Sequence, residues 1–474
     1  MIIPDRPTGP WQTRVRFGPG GAFAYRPGEV LVKADVADFA HQNLIQWAEE
    51  RATESDEAFD LFREETLVGE SFARFTGSFE PKEAIEQLHS QGILSQVNHV
   101  LFATVCCPPH PSDPSAEAFY ASPFYASPFY ANPFYANPFY ANPFYANAGC
   151  GCGCRCGCGG GGPGANPFYA NPSDADAARS PFADPSSQHT GGRSSSARPV
   201  TAPTSQLMQS VHGVRVAILD TGWAEVDVPT GLPGMNLTNY GGDQPDEDAD
   251  GFLDPAAGHG TFIAGIIEQL TPGCDLEVIK VLGTYGDGDE AEIARVLHAL
   301  ARRPEGERPH LVNLSFGGYS PLGMAVLASA ISALHEAGSV VVASAGNDAT
   351  CVPMFPAALP HVVGVAALDE EGKPARFTNY GPWVRACAEG VDLVSIFFEG
   401  FNGAGPREQN YDPDRFNGWA RWSGTSFAAP VVVAALARAV AQGATPHDAV
   451  LQLVDDKVLP RKPMLGTTVD LTTR

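Results

Sequence analysis

Three short segments carry residues that could do chemistry together. The first is Trp422-Ser423-Gly424-Thr425-Ser426-Phe427-Ala428-Ala429-Pro430, which sets a serine on a Gly-Thr turn. The run from Phe427 to Val440 is apolar enough for a buried helix. Ser426 would then sit at a helix N-terminus, where the dipole favours developing negative charge. A serine in that place is also an ordinary helix cap. The second segment, Val214 to Gly222, is an apolar strand ending in Asp220 and a glycine turn. The third, Gly258-His259-Gly260-Thr261, opens another apolar helix with a histidine. A serine hydroxyl is a weak nucleophile until a base takes its proton, and the base needs a third group to orient it. Ser426, His259 and Asp220 could fill those roles.

The elements around them alternate. Leu276 to Leu282, His310 to Leu314, Val340 to Ala345 and His361 to Val365 read as short apolar strands. Glu290 to Arg302 and Leu322 to Ala337 read as helices, the second stopped by Gly338. Strand and helix in alternation imply a parallel sheet with both faces covered. Functional residues then belong at the carboxyl ends of strands and at helix N-termini. Asp220, His259, Asn347 and Ser426 all fall at such places.

The motifs and their order, Asp220 then His259 then Ser426, resemble the subtilisin-like serine peptidases. The resemblance runs from about Ser210 to Gln442. It implies an α/β fold with a subtilisin-like parallel sheet sandwiched by helices. It also implies a serine endopeptidase in which His259 is the base, Asp220 its orienter and Ser426 the nucleophile. Asn347, in Ala343-Ser344-Ala345-Gly346-Asn347-Asp348, matches the family's oxyanion-hole asparagine; a plain turn asparagine is the alternative. Asn313-Leu314-Ser315-Phe316-Gly317-Gly318 matches the edge that pairs with extended substrate, with Ser315, Gly317 and Gly318 as binding positions. Phe262 stands where the family usually has a histidine, and Ala388-Glu389-Gly390 where it often has Ala-Pro-Gly. The implied partners are a peptide or protein substrate and the chain's own propeptide; oligomeric state is left open.

Residues 22–105 read as that propeptide, after an N-terminal tail at 1–21. A strand from Gly28 to Val32 precedes a helix capped by Asp35, with Val36, Phe39, Leu44 and Trp47 near helical spacing. Short strands follow at Thr66 to Val68 and Ser71 to Phe75. A helix opens at Pro81 and stops at Gly92, and Gln96 to Phe102 is the last strand. The order βαββαβ is that of a small ferredoxin-like unit. By family resemblance such a unit assists folding and blocks the active cleft with its C-terminal end, so the enzyme would be made as a zymogen. An unrelated α/β module is the alternative.

Residues 106–206 read as a disordered linker, ahead of a catalytic domain at 207–474. The linker repeats Phe-Tyr-Ala-Ser/Asn-Pro from Phe119 to Asn147, with a last copy at Phe168 to Pro172. Proline at every fifth residue excludes a continuous helix or a central strand. Between the copies lies Cys150 to Cys158, cysteine alternating chiefly with glycine. It lacks the spacing and the histidine of a structural zinc site. Aromatic-x-Asn triplets and Gly-Cys runs both resemble core sequences of ribosomally made, modified peptides. The enzyme could therefore be a maturation protease for such a peptide, or the linker could itself be modified. A low-complexity spacer is the plainer reading, and a non-catalytic scaffold displaying the repeat is the rival from another class. Intact-mass analysis of 119–172 from the native host separates a modified linker from a spacer.

Composition narrows the partners. The 474 residues are 44% hydrophobic and 18% charged, with a net charge of −24. That charge opposes nucleic acid and anionic membranes. No apolar run reaches eighteen residues, so no transmembrane helix is expected. Met1 to Gly20 lacks a signal-like apolar core, which points to the cytoplasm, with non-classical export as the alternative. Cys274, Cys351 and Cys387, scattered in the catalytic region, read as buried free thiols. The chemistry implied needs no cofactor. Asp246, Asp248, Asp250 and Asp254 alternate like a calcium loop with Gly251 at the sixth place, but Ala257 stands at the twelfth. They are candidate ligands of a structural calcium ion, with a solvated acidic loop as the alternative.

Overall fold

The computed structural model describes residues 15–17, 23–52, 61–64, 68, 71–103, 197–201, 210–224, 235–247, 249, 253–320, 323–402 and 415–471. The Phe-Tyr-Ala-Asn-Pro repeat and the Gly-Cys run lie outside them.

Residues 23–103 form one α/β unit. Its elements are β1 (Ala24–Lys33), α1 (Ala37–Ala52), β2 (Leu61–Arg63), β3 (Phe72–Gly77), α2 (Pro81–Ser90) and β4 (Ser95–Ala103). The sheet order is β4-β1-β3-β2, every pair antiparallel. Two expectations need correcting. The second strand forms at Leu61–Arg63; of the strand expected at Thr66 to Val68, residues 66–67 lie outside the described residues and Val68 makes an isolated bridge to Phe72. The first helix begins at Ala37, after a 3-10 turn that contains Asp35, so Asp35 is not its cap. Phe39 faces outward, 53% exposed, while Leu44 is buried as expected and Ala37 and Ala40 join it in the core. α2 begins at Pro81 as expected, because a first-turn proline sacrifices no helical hydrogen bond.

The larger unit is built on one sheet. Its elements are β5 (Arg198–Pro199), β6 (Arg215–Asp220), β7 (Asn236–Tyr240), α3 (His259–Leu270), β8 (Asp275–Lys280), β9 (Asp287–Asp289) and α4 (Glu290–Ala301). Then come β10 (Leu311–Leu314), β11 (Phe316–Gly317), α5 (Ala325–Glu336), β12 (Val340–Ser344), β13 (Val362–Leu368) and β14 (Ala386–Glu389). A hairpin of β15 (Leu393–Asn402) and β16 (Arg415–Trp422) leads into α6 (Thr425–Ala441). After α7 (Pro446–Val450) the chain closes with β17 (Arg461–Lys462) and β18 (Gly466–Thr468).

Among the described residues the sheet has nine strands in the order β17-β18-β14-β13-β12-β10-β6-β8-β7, all parallel except β17. β12 and β13 are buried at every position, as strands covered on both faces must be. The helices pack in pairs, α3 with α6 and α4 with α5. β5 lies inside the stretch read as linker, yet it pairs with β16 beside the nucleophile segment. Among the described residues no helix is long and apolar enough to cross a membrane. Cys274 and Cys387 are buried free thiols, pushed up to about 11 by that burial, while Cys351 is only half-buried.

β4 joins the two units. It lies antiparallel between β9 and β11, with Phe102 opposite both Asp287 and Gly317, and Ala103 opposite Phe316. Leu101 is fully buried in the core of the larger unit. A Cβ on Gly318 would come within 3.2 Å of the Val100 carbonyl oxygen. Gly318, expected to admit a substrate backbone, thus admits β4.

Candidate active site

Asp220 is the last residue of β6 and His259 the first of α3. His259 Nδ1 lies 2.7 Å from Asp220 Oδ1, which also accepts the Thr221 N–H at 2.8 Å. Both side chains are fully buried. Gly260 allows the approach: a Cβ there would meet the Gly222 carbonyl oxygen at 2.5 Å and the Asp220 Cβ at 3.2 Å. With Nδ1 held by the carboxylate, Nε2 is the nitrogen left to take a proton. Nε2 is buried and has no hydrogen-bond partner among the described residues. The imidazole stands edge-on to Trp422 and against Phe427, ring centres 5.6 and 5.3 Å away. Phe262, at the atypical position, is fully buried against the same two rings. It backs the aromatic wall behind the base.

Ser426 is the second residue of α6. Its Oγ donates to the Ser315 carbonyl oxygen at 3.0 Å. Because Nε2 lacks a partner, the serine-to-histidine hydrogen bond is not made in this form. The expected triad is gathered, with its last link open. Ser315 returns the contact, its Oγ donating to the Ser426 carbonyl oxygen at 2.7 Å. Pro430 explains why that carbonyl is available. It lies inside α6 and has no N–H for the carbonyl four residues before it. Asn313 Nδ2 donates to Ser315 Oγ at 2.9 Å and orients it.

Asn347 follows β12. Its Oδ1 accepts from both the backbone N–H and the Oγ1 of Thr425, each at 2.9 Å. The oxygen end of the amide is therefore assigned, and the NH₂ end is the donor. This links the candidate oxyanion donor to the residue beside Ser426.

Sequence reasoning missed Asp243. Its Oδ2 accepts from Thr221 Oγ1 at 2.6 Å and from the Gly258 N–H at 2.8 Å. Thr221 Oγ1 in turn accepts the Gly260 N–H at 3.1 Å. One buried carboxylate thus ties the turn after Asp220 to the turn around His259. Burial pushes its pKa up to about 6, against the pull of Lys280 and of its two donors. No motif announces it, because its partners come together only in the fold. Trp422 and Phe427 stood inside the serine motif, but their packing on His259 was not legible there.

The candidate calcium loop fares differently. Asp248 and Asp250 lie outside the described residues. Asp254 is buried, and its Oδ2 accepts from the Glu247 N–H at 2.8 Å and from Thr284 Oγ1 at 2.6 Å. That oxygen already accepts two hydrogen bonds from within the protein. Among the described residues no group of three or more His, Cys, Asp or Glu could hold a metal ion.

The subtilase family model, peptidase S8, matches residues 211–458, just over half of the chain. The chain belongs to the subtilase family. It is similar to the thermostable alkaline protease of Halalkalibacterium halodurans, 32% identical over 195 residues, 39% of this chain and 50% of that protein. It is also similar to Subtilisin Savinase of Lederbergia lenta, 31% identical over 194 residues, 39% of this chain and 66% of that one. Among solved structures it is similar to the patellamide maturation protease PatA, with 26% identity and a TM-score of 0.42 over 56% of this chain and 96% of that one. A lanthipeptide protease matches with 22% identity and a TM-score of 0.44, over 55% and 87%. The chain spans about half the length of most of the curated relatives named as alkaline or thermophilic proteases.

The subtilase site yields two predictions. Replacing Asn347 by Ala should lower kcat about 10²–10³-fold with little change in KM, the size measured for one such donor in a subtilisin. Thr425→Val should lower kcat by a smaller factor, because the amide stays but loses one of its two anchors. Steady-state kinetics on a peptide substrate checks both. The second concerns Asp243. Its folded pKa lies above its ordinary 3.8, so its contribution to stability is full below about 4 and is lost as pH rises through about 6. Asp243→Asn should flatten that part of the stability curve by up to about 3 kcal/mol. Urea unfolding from pH 4 to 7, in a Ser426→Ala background that prevents self-digestion, measures it. Parallel curves with and without the Asp243→Asn substitution would refute the assignment.

Proposed function

We propose that this subtilase is a serine endopeptidase made as a zymogen. The observation that carries the reading is the buried His259–Asp220 pair, 2.7 Å apart, with Nε2 left unpartnered beside the Ser426 helix start. In the reaction Ser426 Oγ leaves the Ser315 carbonyl and turns to Nε2. His259 takes the hydroxyl proton as Oγ attacks the scissile carbonyl carbon. Asp220 stabilises the imidazolium that forms. Asn347 Nδ2 and the Ser426 backbone N–H donate to the tetrahedral oxyanion. The C–N bond then breaks, and His259 gives its proton to the leaving amine. Water, activated by the same imidazole, hydrolyses the acyl-enzyme.

The substrate would pair with Ser315 to Gly318 as an added strand. β4 lies on that edge, which supports the reading of residues 22–105 as the chain's own inhibitory propeptide. Asp220, His259 and Ser426 are fully buried, as a zymogen closed to substrate requires. No cofactor enters any step. A calcium ion on the 246–254 loop rests on sequence spacing alone and has no part in the reaction; an unfolding temperature indifferent to chelation would remove it.

After removal of the N-terminal unit, a fluorophosphonate should label Ser426, and the Ser426→Ala protein should stay unlabelled. A processed protein that neither labels nor cleaves casein would leave the scaffold reading standing instead.

A further inference from the structure

The face that β4 covers is more than an apolar groove. His99 and Leu101 alternate along β4 on the side that meets the larger unit. Leu101 enters its core, while His99 Nδ1 lies 2.7 Å from Glu290 Oε2. Gln96 Nε2 donates to the same Oε2 at 2.9 Å. Glu290 is fully buried, and its Oε1 accepts the Val326 and Leu327 N–H groups at the start of α5, at 3.1 and 3.0 Å. Asn98 Nδ2 donates to Asp289 Oδ1 at 3.3 Å, and Asn98 Oδ1 accepts the Ala291 N–H at 3.1 Å.

Cations of the N-terminal unit complete the face. Arg26 lies 3.1 Å from Asp287 and 3.7 Å from Asp289, and Arg74 lies 3.4 Å from Glu292. Four carboxylates of the larger unit, Asp287, Asp289, Glu290 and Glu292, thus meet donors or cations supplied by residues 23–103. Arg295 sits nearby but is shared between Glu292 and Glu64. When the N-terminal unit leaves, Arg26, Arg74, His99, Gln96 and Asn98 leave together. Partly buried carboxylates then flank the strand-binding edge with fewer opposite charges. A charge in that state favours whatever cation can reach it.

We propose that this vacated acidic face extends the substrate groove and selects peptides with a basic residue upstream. The inference rests on the peptidase reading above. In the register of β4, the selected residue takes the place of His99, two before the apolar residue in the place of Leu101. A second basic residue is accepted in the place of Gln96. The seated donors identify the ligand class, because a guanidinium or ammonium offers the same kind of contact with full charge.

The test uses the processed enzyme, checked first by fluorophosphonate labelling of Ser426. Fluorogenic peptides copy residues 96–104, with Arg, Ala or Glu in the place of His99. The Arg peptide should exceed the Ala peptide in kcat/KM by about tenfold, one modest charge-assisted hydrogen bond, and the Glu peptide should fall below both. The preference should shrink as salt is raised, since part of the face opens to solvent. Glu290→Gln, and separately Asp287→Asn with Asp289→Asn, should collapse the Arg-to-Ala ratio, a readout that general damage to activity does not mimic. Equal kcat/KM for the three peptides in an enzyme that labels would overturn this inference and leave the peptidase reading intact. Failure to label would overturn both.

Discussion

The interlock between Ser315 and Ser426 is the constraint on which the rest of the site depends. A helix interior has no spare carbonyls, so a strand ordinarily has nothing to grip there. Pro430 changes this by withholding the N–H that Ser426 would otherwise receive. Ser315 Oγ takes the carbonyl, and Ser426 Oγ donates back to the Ser315 carbonyl. Two hydrogen bonds thus set the start of α6 against the edge that follows β10. The backbone that would hold a substrate and the hydroxyl that would attack it are positioned by one contact. The resting bond from Ser426 Oγ also keeps the hydroxyl off His259 until something displaces it.

The aspartate side of the site is held by a separate device. Thr221 Oγ1 and the Gly258 N–H meet at Asp243, so the β6 and α3 turns cannot drift apart without unpairing a buried carboxylate. Ser426 and His259 are therefore placed by two independent anchors, one at each end of the gap. Such anchoring suits a reaction that needs fixed donors more than moving ones. Trp422 and Phe427 pack against the imidazole, and Phe262 backs both rings.

Much of the fold was legible because its strands are short, apolar and bounded by glycine turns. β6, β10, β12 and β13 fall within two or three residues of their expected places. Asp220, His259 and Ser426 could be picked out because each sits in a local motif. What escaped was non-local. β7 is a polar edge strand, Asn-Leu-Thr-Asn-Tyr, with no apolar alternation to betray it. The β15–β16 pairing carries two register shifts, and β5 hides in linker-like sequence because its partner is more than two hundred residues away. Asp35 looked like a cap but lies in a 3-10 turn before the helix start, and Phe39 lies at the surface. Asp243 ends a two-residue strand, Gly242–Asp243, whose sequence has no apolar pattern to mark it. Residues such as these acquire meaning only from partners brought near by the fold.

The junction with the N-terminal unit shows how stability and release can be set by different atoms. Leu101 contributes apolar burial, which salt does not screen. Arg26 and Arg74 contribute charge contacts that salt does weaken where they meet solvent, while His99 adds a buried hydrogen bond to Glu290. Asn98 adds a third kind of tie, since it accepts a backbone N–H at the start of α4. Removing residues 23–103 therefore uncovers an apolar site, loosens four carboxylates and takes one acceptor from a helix N-terminus at once. Glu290 and Asp289 soften that last loss, because each already caps a helix from within the larger unit. The helices beside the edge can thus keep their starts after the strand departs, and that edge can stay in place for a second strand to take the first one's position.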